Sequence, residues 1–244
     1  MSPSYAENSH VGCSGYHYDH WREVFYPEDL DTSEWLDYYS FRFDTVEINN
    51  TFYGLPEEDT FEDWRETTPD HFLFVLKFSR YGTHVKHLKD PEGPIETFLE
   101  RATILGEKLG PILVQLRPNW HVNVERLEGF LQAAPDEFRW ALEFRDPTWL
   151  CDEVFDLLRE HNAALCVHDL IDDHPRVSTA DWVYLRFHGA GKGGKYDYHQ
   201  LSGAARRMRN HVAEGREVFA YFNNDAHGYA IENARDLRDY VRGD

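Results

Sequence analysis

Ionisable side chains stand near the ends of short apolar segments in this chain of 244 residues. The segment TVEINNT carries Glu47 and Asn49 two residues apart, and RWALEFR carries Glu143 and Arg145 with the same spacing. Side chains at this spacing share one face of a strand. A carboxylate buried on such a face is unfavourable unless it is paired. These residues therefore predict ion pairs, acid–base chemistry or both.

Five more segments repeat this order, with apolar residues first and polar residues last. They carry Lys77 in LFVLKFS, Gln115 and Arg117 in PILVQLR, His168 and Asp169 in ALCVHD, Arg186 and His188 in WVYLRFH, and Asn223 in EVFAYFN. If the strands run parallel, all these side chains meet at one end of the sheet. The alternative is that these charged side chains face outward and pair with helices. That arrangement could account for one strand, but it is less suited to seven strands with polar residues at the same end.

Eight strand patterns alternate with helical patterns along the chain. The predicted strands are 10–16, 45–51, 73–79, 111–116, 139–145, 164–169, 182–188 and 217–223. The predicted helices are 32–40, 58–67, 95–109, 123–133, 150–161, 198–213 and 229–242. The gap 170–181 is too short for a full helix. Strict alternation predicts parallel strands with helical crossovers.

This order fits an α/β fold, a single (β/α)8 TIM-type barrel in which the helix after strand six is short or missing. An open doubly wound sheet is the alternative. We expect residues 1–9 to be a flexible N-terminus and residues 10–244 to form one domain. In such a barrel the polar strand ends meet at the C-terminal mouth, where barrel enzymes keep their active sites.

The charge balance is strongly acidic, with 25 Lys and Arg residues against 44 Asp and Glu residues and a net charge of −19. Only six of the cations are lysines. A dispersed acidic surface poor in lysine suits a solution of molar salt, where self-repulsion is screened. We therefore predict a halophilic source, against the alternative of an acidic mesophilic protein. A melting temperature that rises with KCl toward molar concentrations is the expected result.

Other compositional features bear on the compartment. The chain has three cysteines, no apolar run of 18 residues, and no signal-peptide pattern in residues 1–9. These features predict a cytoplasmic protein with reduced thiols and no membrane partner. Its negative charge disfavours non-specific binding to nucleic acid in dilute salt.

Seven motifs resemble those of the YecE-like family, a domain of unknown function numbered seventy-two. They are GCSGYHYDHW, FDTVEINNTFYGLP, FVLKFSRYGTH, ILVQLRPNW, WALEFRDPTW, VYLRFHG and YFNNDAHGYAIENA. The resemblance implies a TIM-type barrel, similar to those of metal-dependent apurinic endonucleases and xylose-isomerase-like enzymes, without an established activity. The family's motif residues fall on Gly15, Glu47, Asn49, Tyr53, Lys77, Gln115, Glu143, Arg145, His188 and Asn223. One departure is QLRPNW where the family usually has QLPP, which places Arg117 at the mouth.

The candidate site residues divide into three predicted roles. The catalytic candidates, for acid–base or amine chemistry, are Glu47, Lys77, Glu143 and His188. The anion clamp comprises Arg117, Arg145 and Arg186. The remaining ligand-binding candidates are the amides Asn49, Gln115 and Asn223 and the aromatic residues Tyr16 and Tyr53. The leading hypothesis is an enzyme that acts on a small anionic ligand, such as a phosphorylated sugar or a nucleotide-like fragment.

Three alternatives stay open. Glu47 and Glu143 suit glycoside hydrolysis if their separation is right. A metal-dependent, apurinic-endonuclease-like hydrolase is the second alternative. It would need a divalent metal, for which we assign no ligands, and it would act on nucleic acid, which we favour less than a small anionic ligand. A non-catalytic binding barrel is the third. Residues 189–195, GAGKGGK, nearly match a nucleotide-binding P-loop but lead into Tyr196, so no nucleotide cofactor is expected. This segment is predicted to be a lid or a phosphate contact.

Overall fold

Eight parallel strands form a nearly closed barrel. The fold is described by a computed structural model that covers residues 4–189 and 194–243. The strands are β1 Ser9–Cys13, β2 Thr45–Ile48, β3 Leu73–Lys77, β4 Leu109–Gln115, β5 Trp140–Glu143, β6 Ala164–His168, β7 Trp182–Phe187 and β8 Glu217–Phe222. They pair in the order β1-β8-β7-β6-β5-β4-β3-β2. The predicted TIM-type barrel is confirmed.

The seam of the barrel lies between β1 and β2. There Ser14 forms an isolated parallel bridge with Glu47, and the backbone N–H of Gly15 donates to the backbone carbonyl of Glu47 at 2.8 Å. Glu47 therefore belongs to the closure of the barrel as well as to the end of β2.

The helices surround the barrel in the predicted order. They are α1 Trp35–Ser40, α2 Asn50–Tyr53, α3 Glu58–Thr67, α4 Glu92–Ala102, α5 Val124–Ala133, α6 Asp152–Glu160, α7 Tyr198–Ala213 and α8 Tyr229–Arg242. Seven match the predicted helices, and the short α2 is an addition. The segment between β6 and β7 contains no helix, as the length of the gap predicted. No described helix has the length and apolar character needed to cross a membrane.

One predicted helix was too long. The pattern 95–109 predicted a single helix, but α4 ends at Ala102 and a 3₁₀ helix, Thr103–Lys108, follows it. Gly106 in this turn has a φ of 57°, a conformation that is easy for glycine and unfavourable in a helix. As a result β4 begins at Leu109, inside the predicted helix.

Apolar side chains form two cores. The larger core packs the outer face of the barrel against the helices. The smaller core fills the barrel interior and comprises Val75, Leu113, Ala141, Ala164, Cys166, Trp182, Tyr184, Phe219 and Tyr221. Because side chains alternate along a strand, the next inward positions toward the C-terminal end are Lys77, Gln115, Glu143, His168 and Arg186. The interior is thus apolar toward the N-terminal ends of the strands and polar toward their C-terminal ends, at the mouth.

Candidate functional site

Four charged side chains form a compact cluster at the mouth, which we call the charge quartet: Glu47, Glu143, Arg145 and Arg186. Arg186 donates from Nη1 to Glu143 Oε2 at 2.5 Å and from Nη2 to Glu47 Oε1 at 2.7 Å. Arg145 donates from Nε to the other oxygen of Glu143. Glu47, Glu143 and Arg186 are buried, whereas the Arg145 side chain is 20% exposed. Two carboxylates therefore balance two guanidinium groups.

The neighbouring charges of the quartet favour the ionised forms of Glu143 and Arg186. Burial alone would raise the pKa of Glu143, but Arg186 and Arg145 outweigh it and hold that pKa well below its usual value. Burial likewise disfavours the charged form of Arg186, yet Glu143 and Glu47 hold its pKa well above the usual value. Glu143 and Arg186 are therefore charged at neutral pH.

Two residues that the sequence interpretation did not select complete the bonding of Glu47. Tyr184 donates its hydroxyl to Glu47 Oε2 at 2.6 Å. Ser14 donates its hydroxyl to Glu47 Oε1 and accepts from Asn49 Nδ2 at 2.7 Å. Tyr184 stands two residues before Arg186 in β7, and Ser14 lies within the GCSGY motif, so spacing and motif were the available signals. Both oxygens of Glu47 are held by the protein.

Lys77 lies beside the quartet without joining it. Its ammonium donates to Gln115 Oε1 at 2.8 Å and stands 4.4 Å from the centroid of the Phe52 ring. It forms no ion pair with any described residue. Burial and then the nearby Arg186 lower the pKa of Lys77 to about 8, although Glu143 and Glu47 act in the opposite direction. This lysine can therefore gain or lose a proton close to neutral pH.

His188 occupies the other side of the quartet. Its Nδ1 accepts from Asn223 Nδ2 at 3.1 Å, which leaves the ring proton on Nε2. Nε2 is buried, has no hydrogen-bond partner in the described part of the chain, and lies 3.9 Å from Glu143 Oε1. Burial and Arg186 lower the pKa of His188 to about 3, so the ring is neutral. The result is a buried N–H donor without an acceptor.

Three predicted ligand contacts lie outside this buried cluster. Arg117 is exposed and contacts His87, with Nη1 and Nε2 3.3 Å apart. Tyr53 is 79% exposed and packs edge-on against Phe52. Tyr16 is partly buried, and its ring centroid lies 6.3 Å from that of Tyr39 on α1. The first two stand at the rim of the mouth, whereas Tyr16 packs toward α1.

The predicted phosphate loop is described only in part. Residues 190–193 lie outside the described residues. In the same loop Lys195 pairs with Glu232 on α8, and the backbone N–H of Gly189 donates to the Tyr196 hydroxyl at 2.7 Å. The prediction of a lid or a phosphate contact is therefore not tested by this part of the structure.

The described residues contain no group of side chains placed to bind a metal ion. Within residues 4–189 and 194–243, no three side chains of His, Cys, Asp or Glu are placed so that they could hold a metal ion. The carboxylates nearest the mouth, Glu47 and Glu143, are bonded to arginine, serine and tyrosine instead.

Sequence comparison agrees with this barrel and its motifs. Residues 10–244 match the family described as "Protein of unknown function DUF72". The chain belongs to the DUF72 family. This confirms the resemblance seen in the motifs and leaves the activity to be argued from the site.

Two curated DUF72-like relatives have similar sequences. The UPF0759 protein YecE of Escherichia coli K12 is 33% identical over 113 residues, which are 46% of this chain and 42% of YecE. The match therefore spans less than half the length of YecE. The UPF0759 protein YunF of Bacillus subtilis is 23% identical over an alignment of 264 positions, which covers 93% of each chain.

Solved structures of DUF72 proteins share the fold. A DUF72 family protein from Thermotoga maritima superposes with a TM-score of 0.83 at 28% identity and covers 96% of this chain and 98% of its own. A second, from Enterococcus faecalis, gives a TM-score of 0.80 at 20% identity, with 96% and 95% covered. At that identity the second match supports the fold alone.

Proposed function

We propose that this DUF72 protein is an enzyme that acts on a small anionic substrate at the mouth of the barrel, with Lys77 as the residue that transfers a proton or attacks as an amine. One observation carries the proposal: Lys77 is a buried fifth charge beside a quartet that is already neutral. When Lys77 is protonated the cluster has a charge of +1. A phosphate or carboxylate on a substrate would supply the missing negative charge.

The position of Lys77 is unfavourable for folding and favourable for chemistry. A buried ammonium without a counter-charge destabilises the native state, and such groups are concentrated at functional sites. An anion bound beside Lys77 would raise its pKa and draw a proton from solvent. Ligand binding near pH 8 should therefore be accompanied by proton uptake.

The neighbouring groups suit supporting roles. The Nε2–H of His188 can donate to a substrate oxygen, and Gln115 fixes the position of the lysine. We place Glu47 and Glu143 in the support of this site, where they hold Arg186 ionised and oriented. The exposed edge of Arg145, together with Arg117 at the rim, is available to an anionic group. Asn49 and Asn223 orient the serine and histidine that border the same space.

A thermal-shift screen tests the proposal. The panel contains phosphorylated sugars, nucleoside monophosphates, inorganic phosphate and small carboxylates, each with and without Mg²⁺, Mn²⁺ or Zn²⁺. We expect one anion class to raise the melting temperature of the wild type, because a ligand that binds only the folded state stabilises it. The same ligand should have no effect on Lys77→Met and an unchanged effect on Lys89→Met, which removes an exposed lysine.

Three outcomes would change the conclusion. An equal shift in Lys77→Met would remove the lysine from the site. A shift that requires the metal would favour the metal-dependent hydrolase. Binding without any chemical change in the ligand after prolonged incubation, followed by mass spectrometry, would favour a non-catalytic binding barrel.

A further inference from the structure

A cavity lies beside β6 and β7, where the connection between these strands lacks a helix. Its volume is about 640 Å³. The apolar part of its wall comprises Val167 of β6 and Val183, Leu185 and Phe187 of β7. These positions alternate with the inward-facing Tyr184 and Arg186, so the apolar wall lies on the opposite face of the strands from the mouth. A crossover helix would normally cover this surface. The cavity also borders the mouth, because His168, Asp169 and Arg186 line it as well.

Two arginines line the cavity in addition to Arg186. Arg176 is exposed and comes from the segment after β6, and Arg207 is partly buried and comes from α7. Neither forms a hydrogen bond or an ion pair with any residue in the described ranges. Burial and then the neighbouring Arg176 and Arg206 lower the pKa of Arg207, which places like charges near one another. Asp169, Asp172 and Asp173 also line the cavity, and none of the three forms an ion pair with Arg176 or Arg207 among the described residues. Asp172 and Asp173 are exposed.

Two histidines add unsatisfied nitrogen atoms to the same cavity. His174 Nε2 and His211 Nδ1 are buried and have no hydrogen-bond partner among the described residues. The other ring nitrogen of His174, Nδ1, bonds to the Pro175 carbonyl at 2.9 Å. Buried polar atoms almost always have partners in folded proteins. The Pro175 carbonyl accepts from Nδ1–H, so His174 Nε2 is itself an acceptor and would bind a donor rather than an anion. The two nitrogens show that polar bonding in the cavity wall is incomplete among the described residues.

We propose that this cavity, which we call the outer groove, is a second ligand site for a small amphipathic anion. The apolar body of the ligand, a flat aromatic ring or a short acyl chain, would pack on Leu185 and Phe187. Its carboxylate, sulfonate or phosphate would lie between Arg176 and Arg207, whose guanidinium groups suit such anions. The volume falls in the range of small-molecule sites, which combine apolar walls with a few polar groups. Arg176 and Arg207 have no ion-pair partner among the described residues, and their positive charge favours an anionic ligand over a neutral one.

Fluorescence titration with 8-anilino-1-naphthalenesulfonate tests the outer groove, because this probe is itself an amphipathic anion. We expect the wild type to bind one probe molecule per chain. Arg176→Ala and Arg207→Ala should each weaken binding about tenfold through the loss of a charged hydrogen bond. The matched control Arg206→Ala removes the same charge from a neighbouring exposed position that does not line the cavity, and should change affinity less than twofold.

A second variant controls for loss of folding, and a second probe controls for non-specific hydrophobic binding. Leu185→Trp should fill the groove and abolish binding while both arginines remain, with cooperative melting retained. The uncharged probe N-phenyl-1-naphthylamine should bind at least tenfold more weakly than the sulfonate. Equal loss in Arg206→Ala, equal binding of the two probes, or a stoichiometry above one would overturn the proposal. So would sedimentation data that show a second copy of the chain in the groove, detected as a dimer that Leu185→Trp dissociates.

Discussion

The charge quartet and Lys77 lie in the same layer of the barrel interior, yet they differ in how well their charges are satisfied. Every carboxylate oxygen of the quartet has a partner, and its charges cancel. Among the described residues, Lys77 has one neutral acceptor, Gln115, and the buried N–H of His188 has no acceptor. Adjacent strand ends can therefore carry both a rigid support and a reactive group. Residue type alone does not separate the two, because the support contains the carboxylates that look most catalytic.

The largest effect is expected from Arg186→Leu, which would leave Glu47 and Glu143 buried without their shared partner. Breaking a buried ion pair from one side costs about 3–5 kcal/mol. We expect a loss of this size in the free energy of unfolding, measured by urea denaturation. Arg145→Leu is the control, and its loss should be clearly smaller because that side chain is partly exposed. Equal losses would mean that the quartet is not organised around Arg186.

Lys77→Met should raise the free energy of unfolding, whereas Arg186→Leu lowers it. The pKa of Lys77 is about 8 in the folded protein and 10.5 for an ordinary lysine. As the pH falls from 10.5 to 8, the unfolded chain takes up a proton that folded Lys77 does not, so the lysine lowers stability at pH 7. The variant should be more stable by roughly 1–3 kcal/mol at pH 7. The difference should shrink at pH 9.5, and a variant less stable than the wild type at pH 7 would make Lys77 part of the support.

The pH dependence of stability sharpens the role of His188. Its pKa is about 3 when folded and 6.5 as an ordinary histidine. The contribution of neutral His188 to the free energy of unfolding is fully present above pH 6.5 and is lost as the pH falls toward 3. In that range His188 is protonated in the unfolded chain and neutral in the folded protein. We expect the wild type to lose about 1–2 kcal/mol more than His188→Asn between pH 7 and pH 5. Equal losses in the wild type and the variant, measured by urea denaturation at both pH values, would contradict this role for His188.

The smallest effect on stability is expected at the rim. Arg117→Ala removes an exposed side chain whose one described contact is with His87, so the free energy of unfolding should change by less than about 0.5 kcal/mol. If Arg117 guides an anion into the mouth, the ligand found in the thermal-shift screen should bind a few-fold more weakly, and less so at high salt. An unchanged affinity at every salt concentration would leave Arg117 outside the ligand site.

The fold could be predicted from the sequence because it depends on periodicity. Alternating apolar residues and regular spacing located all eight strands, and the short gap 170–181 excluded a helix there. Helix ends were less accessible, since Gly106 breaks the α4 pattern through a backbone angle that no side-chain period records.

The candidate site could be predicted only in outline. The late polar residues of each strand were found, because parallel strands bring their ends together. The pairing of Arg186 with two carboxylates from β2 and β5 depends on distances across the barrel, which the sequence does not contain. Ser14 and Tyr184 were missed since hydroxyl groups are common in structural positions and carry no charge to draw attention to them. The outer groove had no motif, because its residues come from three separate stretches of the chain, 167–178, 183–187 and 207–211.

The seam between β1 and β2 links the integrity of the site to the closure of the barrel. Glu47 accepts the Gly15 amide through its backbone carbonyl and binds Arg186 through its carboxylate. Any opening of the seam must therefore disturb the quartet, and loss of the quartet should loosen the seam. The slow hydrogen exchange expected for the Gly15 amide makes it a local reporter of both events. A ligand that binds beside Lys77 should therefore slow hydrogen exchange of the Gly15 amide further, although it does not contact Gly15.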